Sequence, residues 1–555
     1  MLAIICTWIY AFITLALLGF GVNFLLEKAF HYEVKSPDGV LMAGIVSATV
    51  YAQIFSLFYK IGFAANVGLV LLCGLVLFGC RSRIFEALKY WNREYSTPYK
   101  VIILFLVILW AYFSSRGYFH YDSDLYHGQS IRWLEEYGVV PGLGNLHERF
   151  AYNSSFFALS ALYSLKFVLG RSMHAMNGFI ALLLSVTCLR LLKCRQARGL
   201  SLAGFARVGA VYYLTLIVNE VVAPASDYAV MCVLFFIVIK WLDALEKEPD
   251  CIEPFALLCV AGAFTLTLKL TAGLILLLIL KPAYMLISGK KWKEIGIYLA
   301  MGLLVAVPWF ARTVIISGWL IYPFTGLDLF GVDWKMEAFY IDLDAAQIKA
   351  WGRALYNVAL LDTPLWQWLS NWFTTTLSVM EKLLVAGASA ACAVTMADGV
   401  RMLLTKAWKH LDLYLVMLTL SCSYLFWQTS APLMRYGYAY VLLLTLIVFG
   451  WLANCLLSSG KPFIKLCYRG VLLLFALYGI YKIWTMAEYI SQTYVGYYIW
   501  PQTYGTYELE SYEIEGETFY YPVYGDRTGY ESFPSAPTKV ELKFRGDSIK
   551  EGFCK

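Results

Sequence analysis

Between residues 118 and 153 the chain reads YFHYDSDLYHGQSIRWLEEYGVVPGLGNLHERFAYN. Asp122 and Asp124 stand two residues apart, flanked by His120 and His127 and followed by His147, Glu148 and Arg149. A carboxylate there can take the proton of an attacking hydroxyl. The same His–Asp set could hold a divalent metal, most simply between Asp122 and Asp124. Further charges stand alone in apolar surroundings: Asp227 in APASD, Lys269 in LTLKLT, Arg312 just before SGWLIYP, and Arg435 in SAPLMRYGY. Charges in such contexts are costly and are functional candidates by default. Arginine offers a bidentate fork to a phosphate and lysine a point charge. Plainer roles exist for each. Asp122 and Asp124 can be solvated loop acids, and Asp227 can cap the helix after it. Lys269 and Arg312 can snorkel to headgroups. Arg435 can stack on Tyr436 or Tyr438, and His147 and Arg149 can brace the loop.

The elements that must position these residues are apolar helices. Hydrophobic residues make up 60% of the 555 positions and charged residues 15%, with a mean hydropathy of +0.63. A soluble domain has about a quarter of its residues charged. Apolar runs of about 20 residues, enough to cross a bilayer, recur along the chain. The net charge of +6 is carried by short loops, and no stretch reads as a nucleic-acid patch. The pattern is that of an all-α polytopic membrane protein whose partner is the lipid bilayer. The first apolar run, 3–25, lacks a basic leader and a clear cleavage site and reads as a retained helix.

Basic residues set the orientation. Arg81, Arg83, Lys89, Arg93 and Lys100 crowd one loop; Lys193, Arg195, Arg198 and Arg207 another. Lys281, Lys290, Lys291 and Lys293 form a third group, Arg401, Lys406 and Lys409 a fourth, and Lys461, Lys465 and Arg469 a fifth. The positive-inside rule places all of them in the cytoplasm. Between the first two groups the number of crossings must be even, yet runs 101–115, 155–169 and 173–192 all lie there. Segment 155–169, short and interrupted by Lys166, is therefore expected as a helix at the outer interface. About fourteen spans result. Loop 116–153, Asp227, Lys269, Arg312, loop 316–373, Arg435 and tail 488–555 then share the outer side, with Lys240 an exception near an inner span end.

A first outer loop with an acidic pair, an interfacial helix, two spans and a second outer acid resembles the layout of the GT-C glycosyltransferases. Asp122-Ser-Asp124 takes the place of their first-loop motif and Asp227 that of the second acid. DSDLYHGQSIRWL, PGLGNLHERFAYNSS and RTVIISGWLIYP also look like a family of uncharacterised bacterial membrane proteins. The resemblance covers about 116–456 in layout. It implies a GT-C-like fold in the bacterial cytoplasmic membrane with an extracytoplasmic active face. It also implies a polyprenyl-phosphate sugar donor and a glycan or lipid acceptor of the cell envelope. Asp122, Asp124 and Asp227 are then the expected catalytic residues, and His127, His147, Arg149, Lys269, Arg312 and Arg435 the expected substrate-binding ones. No metal ligand is assigned, and no cofactor is required; a divalent metal at Asp122 and Asp124 is the alternative. A flippase for a lipid-linked saccharide, or a polysaccharide polymerase or ligase, are the competing functions. A flippase would want charges within central spans rather than at one surface.

The expected modules are N-terminal spans 1–100, a catalytic module 101–315, an outer amphipathic loop 316–373, C-terminal spans 374–487 and tail 488–555. In the tail, YELESYEIEGETFYYPV alternates as strand, glycine turn and strand, and TKVELKF reads as another strand, so a small β-rich cap is expected. The 13 cysteines carry no CxxC and imply no disulfide framework.

Overall fold

The computed structural model describes residues 1–193, 200–408, 410–459, 461–492 and 496–554; Arg195, Arg198 and Lys409 of the basic groups lie outside the described residues. The chain is 71% helical. Backbone without access to water must satisfy its own hydrogen bonds, and a helix does so within one segment. Among the described residues ten helices are long and apolar enough to cross a membrane: Leu2–Phe30, Pro37–Ser56, Phe63–Glu94, Thr97–Ser115, Ser226–Lys247, Leu270–Ser288, Trp292–Ser317, Val379–Thr405, Met434–Leu457 and Pro462–Ser491. The architecture is that of a multi-pass membrane protein. The remaining expected spans are helical too, as Met176–Cys188, Leu202–Ile217, Ile252–Leu268 and Leu411–Thr429, but the first three are shorter.

Helix starts follow local chemistry. Proline stands in the first turn of Pro37–Ser56, Thr97–Ser115 and Pro462–Ser491, where its missing N–H is harmless. Ser378 and Glu381 close a capping box on Val379–Thr405.

Connections gather at two ends of the bundle. At one end the Trp91 indole donates to Lys35 O, Lys240 pairs with Asp38 at 2.6 Å, and Lys281 pairs with Asp412 at 2.6 Å. The described basic clusters belong to this end. At the other end Val139 N donates to Ser56 O, Gly142 N to Ile315 O, and Gln502 N to Ser115 O. The polar segment after residue 115, the long loop after Ser317 and the tail meet there.

Segment 155–169 forms two short helices, Ser155–Leu162 and Lys166–Leu169, broken at Leu165 in the left-handed region. Every residue of the first is buried. It packs against Pro37–Ser56, Gly128–Glu136, Ser226–Lys247 and Ile252–Leu268. Eight residues of helix span about 12 Å, well short of a bilayer core of about 30 Å. Protein, not headgroup, surrounds this half of the segment.

In the tail, strands Leu509–Ile514 and Glu517–Pro522 form an antiparallel hairpin around Glu515-Gly516, both with positive φ. A second short pair joins Lys543–Phe544 to Phe553–Cys554. Phe519, Phe544 and Phe553 share one apolar cluster with Trp133, Phe150, Trp319 and Tyr322. The tail is thus packed into the polar end rather than hanging from it.

Candidate active site

The chain leaves Thr97–Ser115 through Arg116 and Gly117 in extended and left-handed backbone. At Gly117 (φ 151°) a Cβ would lie 2.3 Å from Asn219 O, so only glycine permits this approach. Residues Ser123–His127 then form a π-helical turn, a geometry often found at functional sites. This turn separates the two acids. Asp122 faces a cavity of about 1350 Å³ also lined by Tyr126 and His127. Asp124 is buried away from it, accepting from Gly505 N at 3.0 Å and Tyr507 OH at 2.9 Å.

The other charges reach the same cavity from element ends. Asp227 is in the first turn of Ser226–Lys247, where the helix dipole favours an anion. Lys269 occupies the extended link between Ile252–Leu268 and the 3₁₀ stretch Leu270–Ile279. Arg149 lies in the 3₁₀ turn Glu148–Ala151. Arg435 is the second residue of Met434–Leu457, where the dipole opposes a cation, and acids compensate it. Its Nη2 lies 2.8 Å from Asp122 Oδ2, and its Nε is within ion-pair range of Asp227 at 3.6 Å. Lys269 pairs with Asp227 and stands 3.2 Å over the Tyr436 ring. Arg149 Nη1 is 3.4 Å from Asp122 Oδ1, and its Nε is 3.9 Å from Asp344. His120 Nδ1 contacts Arg435 Nη1 at 3.0 Å. Trp309, Tyr322, Trp427, Leu433 and Tyr440 supply apolar and aromatic wall.

Electrostatics follow from these contacts. Burial disfavours the charge on Asp122, but the neighbouring guanidinium groups, Arg435 foremost and then Arg149, outweigh it and hold the carboxyl below its ordinary value. Burial lowers His127 to about 3 and also lowers His120, aided there by Arg435. Both imidazoles are therefore neutral near pH 7. Burial raises the Asp344 carboxyl despite the hydrogen bond from Tyr152 OH at 2.6 Å.

Six of the residues expected from sequence converge here: Asp122, His127, Arg149, Asp227, Lys269 and Arg435. Three do not. Asp124 holds the tail. His147 contacts Glu148 at 3.1 Å, a contact that, against burial, keeps the Glu148 carboxyl at about 2. Arg312 is buried in a small neighbouring pocket. Asp122 and Asp124 have separate partners, so the proposed metal pair does not face one point. Among the described residues no group of three or more His, Cys, Asp or Glu side chains is placed to hold a metal. Asp344 and Tyr152 were missed by sequence reasoning. Asp344 shares its helix, Ala338–Gly352, with Asp342, and nothing in their spacing separates them.

The chain belongs to the family described as "Domain of unknown function (DUF8201)", which matches residues 1–442. That stretch contains all six converging residues, whereas the tail lies beyond it. No curated protein and no solved structure matches the chain.

Proposed function

We propose that this DUF8201 member is a glycosyltransferase that moves a sugar from a polyprenyl-phosphate donor to a cell-surface glycan or lipid acceptor. The carrying observation is Asp122 held between Arg435 and Arg149 in the large cavity, beside the Lys269–Asp227 pair. The basic clusters lie at the opposite end of the bundle, which supports the reading that the cavity opens to the extracytoplasmic side of a bacterial cytoplasmic membrane.

The reaction joins the acceptor oxygen to the anomeric carbon and breaks the bond from that carbon to the donor phosphate. The acceptor proton passes to Asp122, and polyprenyl phosphate leaves with the bonding pair. The leaving group needs cationic stabilisation, for which Arg435, Lys269 and Arg149 are in place. The aromatic wall suits the isoprenoid chain and the sugar faces. Binding of the phosphate draws Arg435 from Asp122. That removes the strongest of the charges depressing Asp122, so its carboxylate becomes a better base as the donor arrives. Asp227, anchored by Lys269, is available to sugar hydroxyls.

Purified protein and a synthetic polyprenyl-phosphate sugar test this reading. D122N keeps the side-chain size but cannot accept the proton, and transfer should fall about 10²–10⁴-fold. Near-wild-type transfer by D122N removes Asp122 from the chemistry. Movement of labelled donor across liposomes without transfer by the wild type replaces the enzyme with a flippase. Transfer only from a pyrophosphate donor points instead to a polymerase or ligase.

A further inference from the structure

Among the described residues two guanidinium-bearing side chains are no more than 2% exposed, and they are treated differently. Arg207 pairs with Asp243 and donates to Thr187 O at 3.3 Å. Arg312, 2% exposed near the end of Trp292–Ser317, has no hydrogen-bond partner for Nε or Nη1 among the described residues. Of the acids lining the adjoining cavity, Asp122 and Asp227 pair with Arg149, Lys269 and Arg435, and Asp526 accepts from Tyr121 OH; none pairs with Arg312. An isolated buried charge is very costly, so a counter-charge is required.

Arg312 lines a pocket of about 20 Å³ together with Ser130, Trp133 and Asn153 among apolar side chains. Ser130 Oγ, Trp133 Nε1 and Asn153 Oδ1 also lack partners. The lining offers a guanidinium and an indole N–H as donors, the Ser130 hydroxyl as donor or acceptor and one amide oxygen as acceptor, the Tyr152 hydroxyl being spent on Asp344, and it contains no acid. The volume suits one water-sized sphere. A small monatomic anion fits that space, and a water molecule brings no charge. We propose that this pocket binds one small monovalent anion of the halide class, chloride under physiological conditions, held by Arg312, Ser130 and Trp133. Asn153 lines both this pocket and the large cavity and donates to Trp309 O at 3.0 Å and Thr313 Oγ1 at 3.1 Å. The anion is thus one side chain away from the candidate active site, but the proposal is independent of the reaction assigned to that site.

The test is thermal unfolding of the full-length protein in detergent, in sodium chloride or bromide against sodium gluconate at equal ionic strength. A ligand that binds only the folded state raises Tm with its concentration. The expected result is a saturable rise in chloride and bromide over gluconate, absent in R312M and shifted to higher halide concentration in S130A. Should R312M fail to fold, the S130A titration and an anomalous-scattering peak for bromide beside Arg312 in wild-type crystals decide the matter. No halide-specific shift in the wild type, or no bromide in the pocket, overturns the proposal and leaves water as the occupant.

Discussion

Replacing Asp124 with alanine should loosen the tail and spare the chemistry. The Asp124 carboxylate is 7% exposed and accepts from Gly505 N at 3.0 Å and Tyr507 OH at 2.9 Å. Its backbone oxygen separately accepts from Thr528 N at 3.1 Å and Gly529 N at 2.9 Å. The substitution removes the first pair of bonds and leaves the second. A hydrogen bond to a charged group contributes about 1.5–3 kcal/mol. Tyr507 is partly exposed and can turn to water, so the lower end applies and the two bonds together are worth about 3 kcal/mol. Local opening of residues 504–530 should then rise roughly a hundredfold. The rest of the tail keeps its own anchors, including Gln129 Nε2 on Ser532 O at 2.9 Å and Phe553 N on Pro141 O at 2.9 Å. Amide hydrogen exchange is the assay, with D122N as the control that leaves this contact intact. Faster exchange confined to residues 504–530, with transfer within a few-fold of wild type, is the expected outcome. Unchanged exchange with abolished transfer would refute the reasoning and return Asp124 to the reaction.

Three further expectations concern the cavity. Because His127 is held at about 3 and Asp122 below its ordinary value, neither changes charge between pH 5 and 8 in the free protein; kcat/KM for transfer should be nearly flat over that range, and a limb near pH 6.5 that persists in H120Q and is lost in H127Q would contradict the burial argument. The same depressed histidine makes the unfolded state bind more protons below about 6.5, so stability should fall with pH there by at most about 1.4 kcal/mol per unit, and H127Q should flatten that slope in thermal unfolding. K269Q and R435Q each remove a cation facing the phosphate position and should weaken donor use about 10–100-fold, corresponding to about 1.5–3 kcal/mol. Unchanged KM and kcat in both variants would place the phosphate elsewhere.

The helices were legible because an apolar run has few structural options once water is excluded, and every run identified as a span is a helix. The grouping of Asp122, Asp227, Lys269 and Arg435 was legible for a related reason. Each is a charge at the edge of an apolar run, and such charges need one another or a ligand. Segment 155–169 was placed by parity, its shortness and Lys166, and its composition carried more than that. An interfacial helix needs a polar face, whereas Ser155–Leu162 reads SFFALSAL, with only serine for polarity. That sequence suits burial among small-residue and aromatic neighbours.

What could not be read is which way neighbouring charges turn. In Asp122-Ser-Asp124 an ordinary extended loop would send both carboxylates to the same side, since alternate residues share a face. The π-helical turn breaks that relation and assigns one acid to the cavity and the other to a tail almost four hundred residues later, an association with no local signature. Arg312 and Lys269 make the same point. Both are single cations at the end of an apolar run, alike in sequence context, yet one meets Asp227 and an aromatic ring and the other meets only dipoles. The difference arises from which helix ends are brought together. Lys269 lies opposite the first turn of Ser226–Lys247, which carries Asp227, whereas Arg312 faces Gly128–Glu136 through Ser130 and Trp133. A charge in an apolar run therefore predicts that a partner is needed, while only the packing decides whether that partner is a side chain, a substrate or an ion.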